Sequence, residues 1–351
     1  MSFGLRTSIF ILVFSLAFNA WALPTLRVVK NNMSEANFVV FEDNNDGVAR
    51  YKKAIWLNKE LRGFAPVTEL DQRLNELKNS DQKLPRVLLL ANASTQDSDR
   101  HRLEHAFIRP FKKMGAEVYM LPMAATEGLN PDEKKEFLDL LSLHFDLMIS
   151  NGGDDIEPSL YQEKITYSVD TNGARDRAEG EVIRGYIERA RGFFYGVCRG
   201  MQLAAVAFGM KMYQDIPKEL GDKVAHGGQG FRFHDIHLNP TRHSVLKNMV
   251  GGAEVINGFS WHHQAVKYTP NAIFQIAGSD IEGQFPEALE SVNGKVLLTQ
   301  FHPEYSRRVD AVGGKDNGEW GVKILQGIFA KAKSIHDTKY TRACHNILLR
   351  N

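Results

Sequence analysis

Segment 196–200 (Gly-Val-Cys-Arg-Gly) places a cysteine between two glycines, after a predicted strand at 193–197 and before a predicted helix at 200–208. A Gly-x-nucleophile-x-Gly segment in this context is typical of a sharp strand-to-helix turn that exposes a nucleophile above an α/β sheet. The N-terminus of a helix favours negative charge, so this turn would favour the reactive thiolate of Cys198. For the segment alone, a buried structural cysteine is the competing interpretation.

A second motif, His302-Pro303-Glu304, follows a predicted strand at 296–301. In extended backbone, residues two apart point the same way, and Pro303 restrains the chain between them. His302 would then transfer protons for Cys198, while Glu304 would orient the imidazole and stabilise the imidazolium. A solvent-exposed turn explains the motif taken alone, but its combination with the cysteine turn favours a Cys198–His302–Glu304 triad.

A glycine pair supplies candidate donors for a developing negative charge. Gly152 and Gly153 follow a predicted strand at 145–150. Their backbone N–H groups, together with that of Arg199, would form an oxyanion hole if the two strand ends lie side by side. Taken alone, an ordinary Gly-Gly turn is the simpler explanation.

The elements that must position these residues alternate between strand and helix from residue 85 onward. The continuous apolar run at 87–91 is typical of a parallel strand that is buried on both faces. The alternation predicts an α/β fold, an open, mostly parallel sheet with helices on both faces. Region 226–291 contains short alternating strands, which would extend the sheet or form an antiparallel flap. Further strands are predicted at 117–121 and 231–238, and helices at 100–114, 132–144, 175–191 and 318–333.

Composition sets the broad class of protein. The 351 residues are 43% hydrophobic and 24% charged, as in an ordinary globular protein. The net charge of +1 gives no global field that favours nucleic acid or an anionic membrane. The two cysteines are too few for a disulfide scaffold.

The N-terminus has the features of a secretory signal peptide over residues 1–22. Arg6 precedes a short apolar run at 9–18, and Ala20-Trp21-Ala22 provides small residues where a signal peptidase cleaves. The run is shorter than the ~18 residues expected of a membrane span. An uncleaved anchor and a buried first helix are the alternatives. Cleavage before Leu23 would give a periplasmic or secreted protein that does not stay with the membrane.

The remaining chain divides into three predicted parts. Residues 23–84 are an N-terminal extension that packs on the core, with a predicted strand at 38–41 and helices at 48–62 and 67–77. About sixty residues are marginal for independent folding. Residues 85–334 form the main domain, and residues 335–351 form a C-terminal tail that contains Cys344.

Several motifs in order give a family resemblance over about 85–334. They are segments 152–161, 196–202, 213–216, 261–267 and 300–304, with Arg175-Asp176 and Glu179. The chain resembles the gamma-glutamyl hydrolase family of the class I glutamine amidotransferase-like superfamily. The resemblance implies flavodoxin-like layering, the Cys198–His302–Glu304 triad and cleavage of a gamma-glutamyl amide bond without metal or organic cofactor. The candidate substrate contacts are Arg175, Glu179, Gln202, His262, His263 and Gln264.

Two of these groups have simpler interpretations. Arg175 and Glu179, four residues apart on a helix, would make a surface ion pair worth a few tenths of a kcal/mol; the resemblance instead places them near the active site. The histidine-dense stretch has no His-Glu-x-x-His signature. Surface histidines are therefore favoured over a metal site, with segment 262–264 as a pocket wall. The histidines concerned are His226, His234, His237, His243, His262 and His263.

Three functions remain open from the sequence. The first is an exported cysteine hydrolase that cleaves gamma-glutamyl amides of small molecules or peptides through a gamma-glutamyl thioester. The second is a glutaminase-type amidotransferase subunit, which the export signal and the missing synthetase domain disfavour. The third is a non-catalytic exported binding protein of the same fold. The leaving group stays open, as does formation of a homo-oligomer.

Overall fold

The computed structural model describes ten stretches of the chain. They are residues 25–29, 35–42, 75–78, 82–91, 104–122, 126, 128–221, 232–239, 244–305 and 318–348. The predicted signal peptide, the predicted helix at 48–62 and most of that at 67–77 lie outside these residues. Among the helices that the structure describes, none combines the length and apolar character needed to cross a membrane.

Twelve of the fourteen strands in the described residues form one open sheet, in the order β10-β9-β12-β13-β14-β7-β6-β4-β5-β2-β1-β3. The other two, β8 and β11, pair with each other. The strands are β1 (Thr25–Val29), β2 (Asn37–Glu42), β3 (Asn75–Glu76), β4 (Arg86–Ala91), β5 (Glu117–Pro122), β6 (Leu147–Ser150), β7 (Phe193–Val197), β8 (Lys211–Tyr213), β9 (Arg232–Leu238), β10 (Val255–Ser260), β11 (Ala265–Lys267), β12 (Phe274–Ser279), β13 (Pro286–Ser291) and β14 (Val296–Thr299).

The six strands from β14 to β2 are parallel and form the centre of the sheet. The apolar residues of these strands contribute to two hydrophobic cores, one on each face of the sheet, because successive side chains point to opposite faces. Val87 and Leu89 of β4 belong to one buried cluster, and Leu88 and Leu90 belong to the other. The predicted α/β class with an open sheet is therefore confirmed.

Helices cover both faces of this sheet. One face carries α1, α6 and α7, and the other carries α2, α3 and α4. The helices are α1 (Arg109–Lys113), α2 (Pro131–His144), α3 (Gly173–Arg189), α4 (Arg199–Ala207), α5 (Ile216–Leu220), α6 (Val245–Met249) and α7 (Gly318–Leu348). A capping box at Asn130 and Glu133 starts α2, because each side chain accepts a hydrogen bond from the other residue's backbone N–H.

Antiparallel strands extend the sheet at both ends. β13, β12, β9 and β10 continue it beyond β14, so region 226–291 extends the sheet, one of the two arrangements that the sequence allowed. At the other end, β2 pairs in parallel with β5, and β1 and β3 add antiparallel strands. The described strands of segment 23–84 thus share a sheet with the main domain.

Helices α2, α3 and α4 lie within two residues of their predicted bounds, whereas two other helices differ more. The helix predicted at 100–114 consists, in the described residues, of a π-helical turn at Glu104–Ile108 followed by α1. The helix predicted at 318–333 continues to Leu348, so residues 335–348 of the predicted tail are helical. Tertiary contacts explain the longer helix, since Lys339 lies 3.1 Å from the buried carboxylate of Asp146 and donates to the carbonyl of Phe145 at 2.9 Å.

Candidate active site

Cys198 lies at the sharp turn between β7 and α4. Its backbone has φ 53° and ψ −112°, a left-handed conformation that non-glycine residues rarely adopt. The Cys198 N–H donates to the carbonyl of Thr299 at 2.7 Å, which ties the turn to the end of β14. Such strain is typical of functional sites whose surroundings fix an unfavourable backbone. Cys198 is 7% exposed and lies at the N-terminus of α4.

The two glycines that flank this turn permit close backbone contacts. A Cβ at Gly200 would lie 2.2 Å from the carbonyl oxygen of Ser150 on β6. A Cβ at Gly196 would lie 2.8 Å from the backbone of Gly200. Both contacts are shorter than real Cβ atoms tolerate, so glycine at these positions allows α4 to start directly against the strand ends.

His302 and Glu304 come together through a tight turn. The sequence predicted an extended segment, whereas Pro303–Tyr305 forms a 3₁₀ turn. That turn brings Nδ1 of His302 to 2.7 Å from Oε1 of Glu304. Both side chains are buried, and the ring of His302 packs against Phe259 and Tyr305. The predicted pair is present, but the turn, and not strand geometry, produces it.

The same imidazole lies beside the thiol of Cys198. A Cβ placed on Gly152 would lie 3.2 Å from Cε1 of His302 and 4.0 Å from Sγ of Cys198, so all three residues meet at one point. Burial opposes a charge on the His302 ring, but the charges of Glu304 and Cys198 outweigh it and raise the pKa of His302 to about 10. Because Glu304 occupies Nδ1, the nitrogen left to exchange a proton with Cys198 is Nε2.

We expect the His302 ring to stay protonated through neutral pH and to titrate near pH 10. Glu304→Gln removes the carboxylate charge that favours the imidazolium, so the midpoint should fall. NMR of protein with isotope-labelled histidine rings measures both midpoints, with the signal assigned from a His302→Gln spectrum. His237→Ala, on exposed β9 surface, should leave the midpoint unchanged. An unchanged midpoint in Glu304→Gln would show that Glu304 does not set the charge of His302.

The predicted oxyanion-hole residues also converge. Gly152 and Gly153 follow the end of β6, next to the Cys198 turn, and Arg199 is the first residue of α4. A Cβ on Gly153 would lie 3.0 Å from Cδ of Arg199. The backbone of the glycine pair therefore runs directly alongside the start of the nucleophile helix.

A buried charge cluster lies beneath this glycine pair. The Arg199 guanidinium, 1% exposed, pairs with the carboxylates of Asp176 and Glu179, which are 1% exposed as well. Arg175 lies 3.4 Å from Glu179 and 3.4 Å from Asp154. Burial opposes both charges, but the ion pairs outweigh it, so the pKa of Glu179 is lowered and the pKa of Arg199 is raised.

This burial corrects the interpretation of Arg175 and Glu179 as a surface ion pair. Arg175 is 7% exposed and Glu179 is 2% exposed. Arg175 pairs with Asp154, the residue after the glycine pair, and Glu179 pairs with Arg199 on α4. These contacts hold α3, the glycine pair and the start of α4 together. The cluster therefore positions the site, and Glu179 offers no open face to a substrate.

Arg199→Met should lower the free energy of unfolding by about 3–5 kcal/mol, because it removes the buried guanidinium that pairs with both Asp176 and Glu179. The control is Arg184→Met, which removes an exposed ion pair with Glu188 on α3. Exposed pairs of this kind contribute about 1 kcal/mol or less. Urea denaturation measures both variants. Equal losses for the two variants would contradict the positioning role assigned to Arg199.

The remaining predicted contacts form a chain of polar side chains beside Cys198. Gln202 donates to the carbonyl of Gln264 and to Oε1 of Gln300, both at 3.2 Å. Gln264 is 1% exposed, and its amide donates to the hydroxyl of Ser168 at 2.9 Å. Gln202 and Gln264 are thus engaged with the protein and shape the wall behind the nucleophile.

His262 and His263 point to different partners. His262, with a side chain 2% exposed, has Nδ1 at 2.9 Å from the Gln264 carbonyl. His263 is 30% exposed and lies between the carboxylates of Asp155, at 3.0 Å, and Asp215, at 3.4 Å. Hydrogen bonds to these carboxylates, with Asp155 the stronger, outweigh burial and raise the pKa of His263. His263 therefore links the loop after β6 to the start of α5.

Three site residues escaped the sequence analysis as individual candidates. Asp176 and Asp155 were noted only as members of family motifs, and Glu287 was not noted at all. No local pattern singled out Glu287, because the burial of β13, which contains two glutamates, is seen only in the structure. His234, expected at the surface, has a side chain only 16% exposed, while His226 and His243 lie outside the described residues.

Comparisons with protein families, related sequences and solved structures give the following matches. The model of the peptidase C26 family matches residues 87–304, more than half of the chain. The "Putative glutamine amidotransferase-like protein YvdE" of Lactococcus lactis is 32% identical over 205 residues, which are 57% of this chain and 79% of that protein. Protein NtpR of Enterococcus hirae is 32% identical over 166 residues, 45% of this chain and 66% of its own length. A solved glutamine amidotransferase from Thermotoga maritima superposes with a TM-score of 0.43 at 13% identity, covering 74% of this chain and 99% of its own.

The chain belongs to the peptidase C26 family, within the class I glutamine amidotransferase-like superfamily. That membership supports a function of the hydrolase or amidotransferase type.

Proposed function

We propose that this protein is a cysteine hydrolase that cleaves gamma-glutamyl amide bonds. The observation that carries the proposal is the buried constellation of Cys198, His302 and Glu304, with Nδ1 of His302 at 2.7 Å from Oε1 of Glu304. Nucleophile, base and orienting carboxylate are the three roles that acyl transfer at an amide requires. The gamma-glutamyl specificity rests on the sequence resemblance.

In the first half-reaction, Sγ of Cys198 attacks the side-chain carbonyl of the gamma-glutamyl group. The carbonyl oxygen becomes negative and accepts hydrogen bonds from backbone N–H groups of Gly152, Gly153 and Arg199. As the C–N bond breaks, His302 donates its proton to the leaving amine. A gamma-glutamyl thioester on Cys198 remains.

In the second half-reaction, water hydrolyses the thioester. His302, now neutral, takes a proton from the water as the oxygen attacks the thioester carbonyl. The C–S bond breaks, glutamate leaves, and the thiolate and imidazolium are restored. Glu304 stabilises the imidazolium in both halves, which agrees with the raised pKa of His302.

A chromogenic gamma-glutamyl anilide tests this function against the two alternatives. Release of the aniline from the gamma isomer, with none from the alpha-glutamyl isomer, is the expected result. Turnover of free glutamine alone would favour a glutaminase-type subunit. Absence of turnover on all three compounds by folded protein would favour a non-catalytic binding protein.

Export is a separate part of the proposal and concerns residues outside the described part of the chain. We expect the mature native protein to begin at or near Leu23, because small residues precede it and an apolar run lies upstream. N-terminal sequencing of protein from the periplasmic fraction and the medium measures this. Retention of Met1 on a cytoplasmic pool would contradict export.

A further inference from the structure

Three side chains from different parts of the sheet converge next to the candidate active site. His234 lies on β9, His262 follows β10, and Glu287 lies on β13. Nε2 of each histidine is 3.5 Å from Oε1 of Glu287, and the three atoms lie within 4.8 Å of one another. The Glu287 side chain is 0% exposed, so the carboxylate that both histidines approach lies inside the protein.

Backbone carbonyls fix the orientation of both imidazoles. Nδ1 of His262 is 2.9 Å from the carbonyl of Gln264, and Nδ1 of His234 is 3.1 Å from the carbonyl of Asp235. A carbonyl only accepts hydrogen bonds, so each Nδ1 carries the proton. In the neutral rings, each Nε2 is then the nitrogen that carries the lone pair, and each lies 3.5 Å from Oε1 of Glu287. Metal-binding histidines are oriented in the same way, by a hydrogen bond from the second ring nitrogen.

The spacing fits a divalent transition metal. Zinc binds imidazole nitrogen and carboxylate oxygen at about 2.0–2.2 Å, so two ligands on a tetrahedral ion are about 3.3–3.5 Å apart. The two nitrogen-to-oxygen distances of 3.5 Å agree with that edge length. Two histidines and one glutamate also form a known donor set for zinc.

We propose that His234, His262 and Glu287 bind a divalent transition-metal ion, with Zn²⁺ as the preferred occupant. The site would fasten the β9–β10 pair to β13. It lies close to the nucleophile, because Sγ of Cys198 is 3.9 Å from the carbonyl of Trp261, the residue before His262. The metal takes no step in the proposed hydrolysis. It holds the segment that follows β10, and this assignment stands independently of the reaction.

The test is zinc titration of untagged, metal-stripped protein by calorimetry in a Cys198→Ala background, which removes the catalytic thiol as a competing ligand. One equivalent of Zn²⁺ should bind per chain. His234→Ala, the least buried of the three positions, should weaken binding by at least about 10-fold, since even the loss of an outer hydrogen-bond partner costs that much. His237→Ala, on the same strand but exposed, is the matched control and should bind like its parent.

X-ray absorption of the zinc-loaded protein provides the second measurement. Nitrogen and oxygen ligands with histidine scattering are expected, and Glu287→Gln should weaken binding while keeping the size of the side chain. Circular dichroism establishes which variants fold, and His234→Ala decides the question if Glu287→Gln does not. Failure of the folded Cys198→Ala protein to bind stoichiometric Zn²⁺, equal affinities of the His234→Ala and His237→Ala variants, or sulfur ligation would overturn the proposal.

Discussion

Cys198→Ala is expected to reduce kcat for a gamma-glutamyl amide by at least about 10⁴-fold, as removal of an acyl-transfer nucleophile does in comparable triads. Alanine cannot form the thioester, and no neighbouring residue can replace Sγ at the turn between β7 and α4. The variant should still fold, since Cys198 fills little of the core and its strained backbone is held by surrounding contacts. Initial-rate kinetics measures the loss, and circular dichroism checks the fold.

The second cysteine provides the matched control for this prediction. Cys344 lies in α7, and Cys344→Ser should retain wild-type kcat. Iodoacetamide should inactivate the enzyme in proportion to labelling of Cys198, measured by peptide mass mapping. Full activity after complete alkylation of Cys198 would remove it from the mechanism.

His302→Ala should lower kcat by about 10²–10⁴-fold, the usual contribution of general acid–base transfer. The imidazole is the proton donor for the leaving amine. Glu304→Gln should cost less, because the amide preserves a hydrogen bond to Nδ1 while losing the charge that stabilises the imidazolium. Kinetics at several pH values measures both variants.

An exposed histidine serves as the reference for His302. His237→Ala on β9 should leave kcat unchanged, since His237 is exposed to solvent. If His302→Ala kept the wild-type kcat, the triad would be wrong. Equal losses for Glu304→Gln and His302→Ala would mean that Glu304 does more than orient the ring.

Local signals in the sequence predicted much of the fold. β7 has the predicted bounds at Phe193–Val197, because a continuous apolar run ends at a glycine-flanked cysteine. α2 begins one residue before its predicted start, at Pro131, where Asn130 and Glu133 form the capping box. The juxtaposition of Cys198 with His302 also followed from the sequence. Each residue lies just beyond the end of a parallel strand, and the two strands, β7 and β14, are neighbours in the sheet.

Long-range contacts account for what the sequence could not predict. The helical spacing of Arg175 and Glu179 is the same for a surface pair and for a buried one. Only the tertiary structure, in which Arg199 of α4 pairs with Glu179 of α3, shows that these charges are internal. Similarly, the polar residues after 333 gave no reason to continue α7, which depends on contacts between Lys339 and the distant Asp146.

The metal-site geometry was hidden for the same reason. His234, His262 and Glu287 are separated along the chain and follow no local spacing rule. They meet because β9, β10 and β13 lie close together in the antiparallel part of the sheet. A prediction of short strands in region 226–291 did not specify their order, so it could not bring these side chains together.

The central claim is that a gamma-glutamyl thioester forms on Cys198, and capture by hydroxylamine tests it most directly. Hydroxylamine competes with water for a thioester, so turnover of a gamma-glutamyl anilide in its presence should yield gamma-glutamyl hydroxamate. Glutamate release should fall by the same amount, and the Cys198→Ala variant should form neither product. Glutamate released at the full rate without hydroxamate would show direct attack by water and would contradict the account.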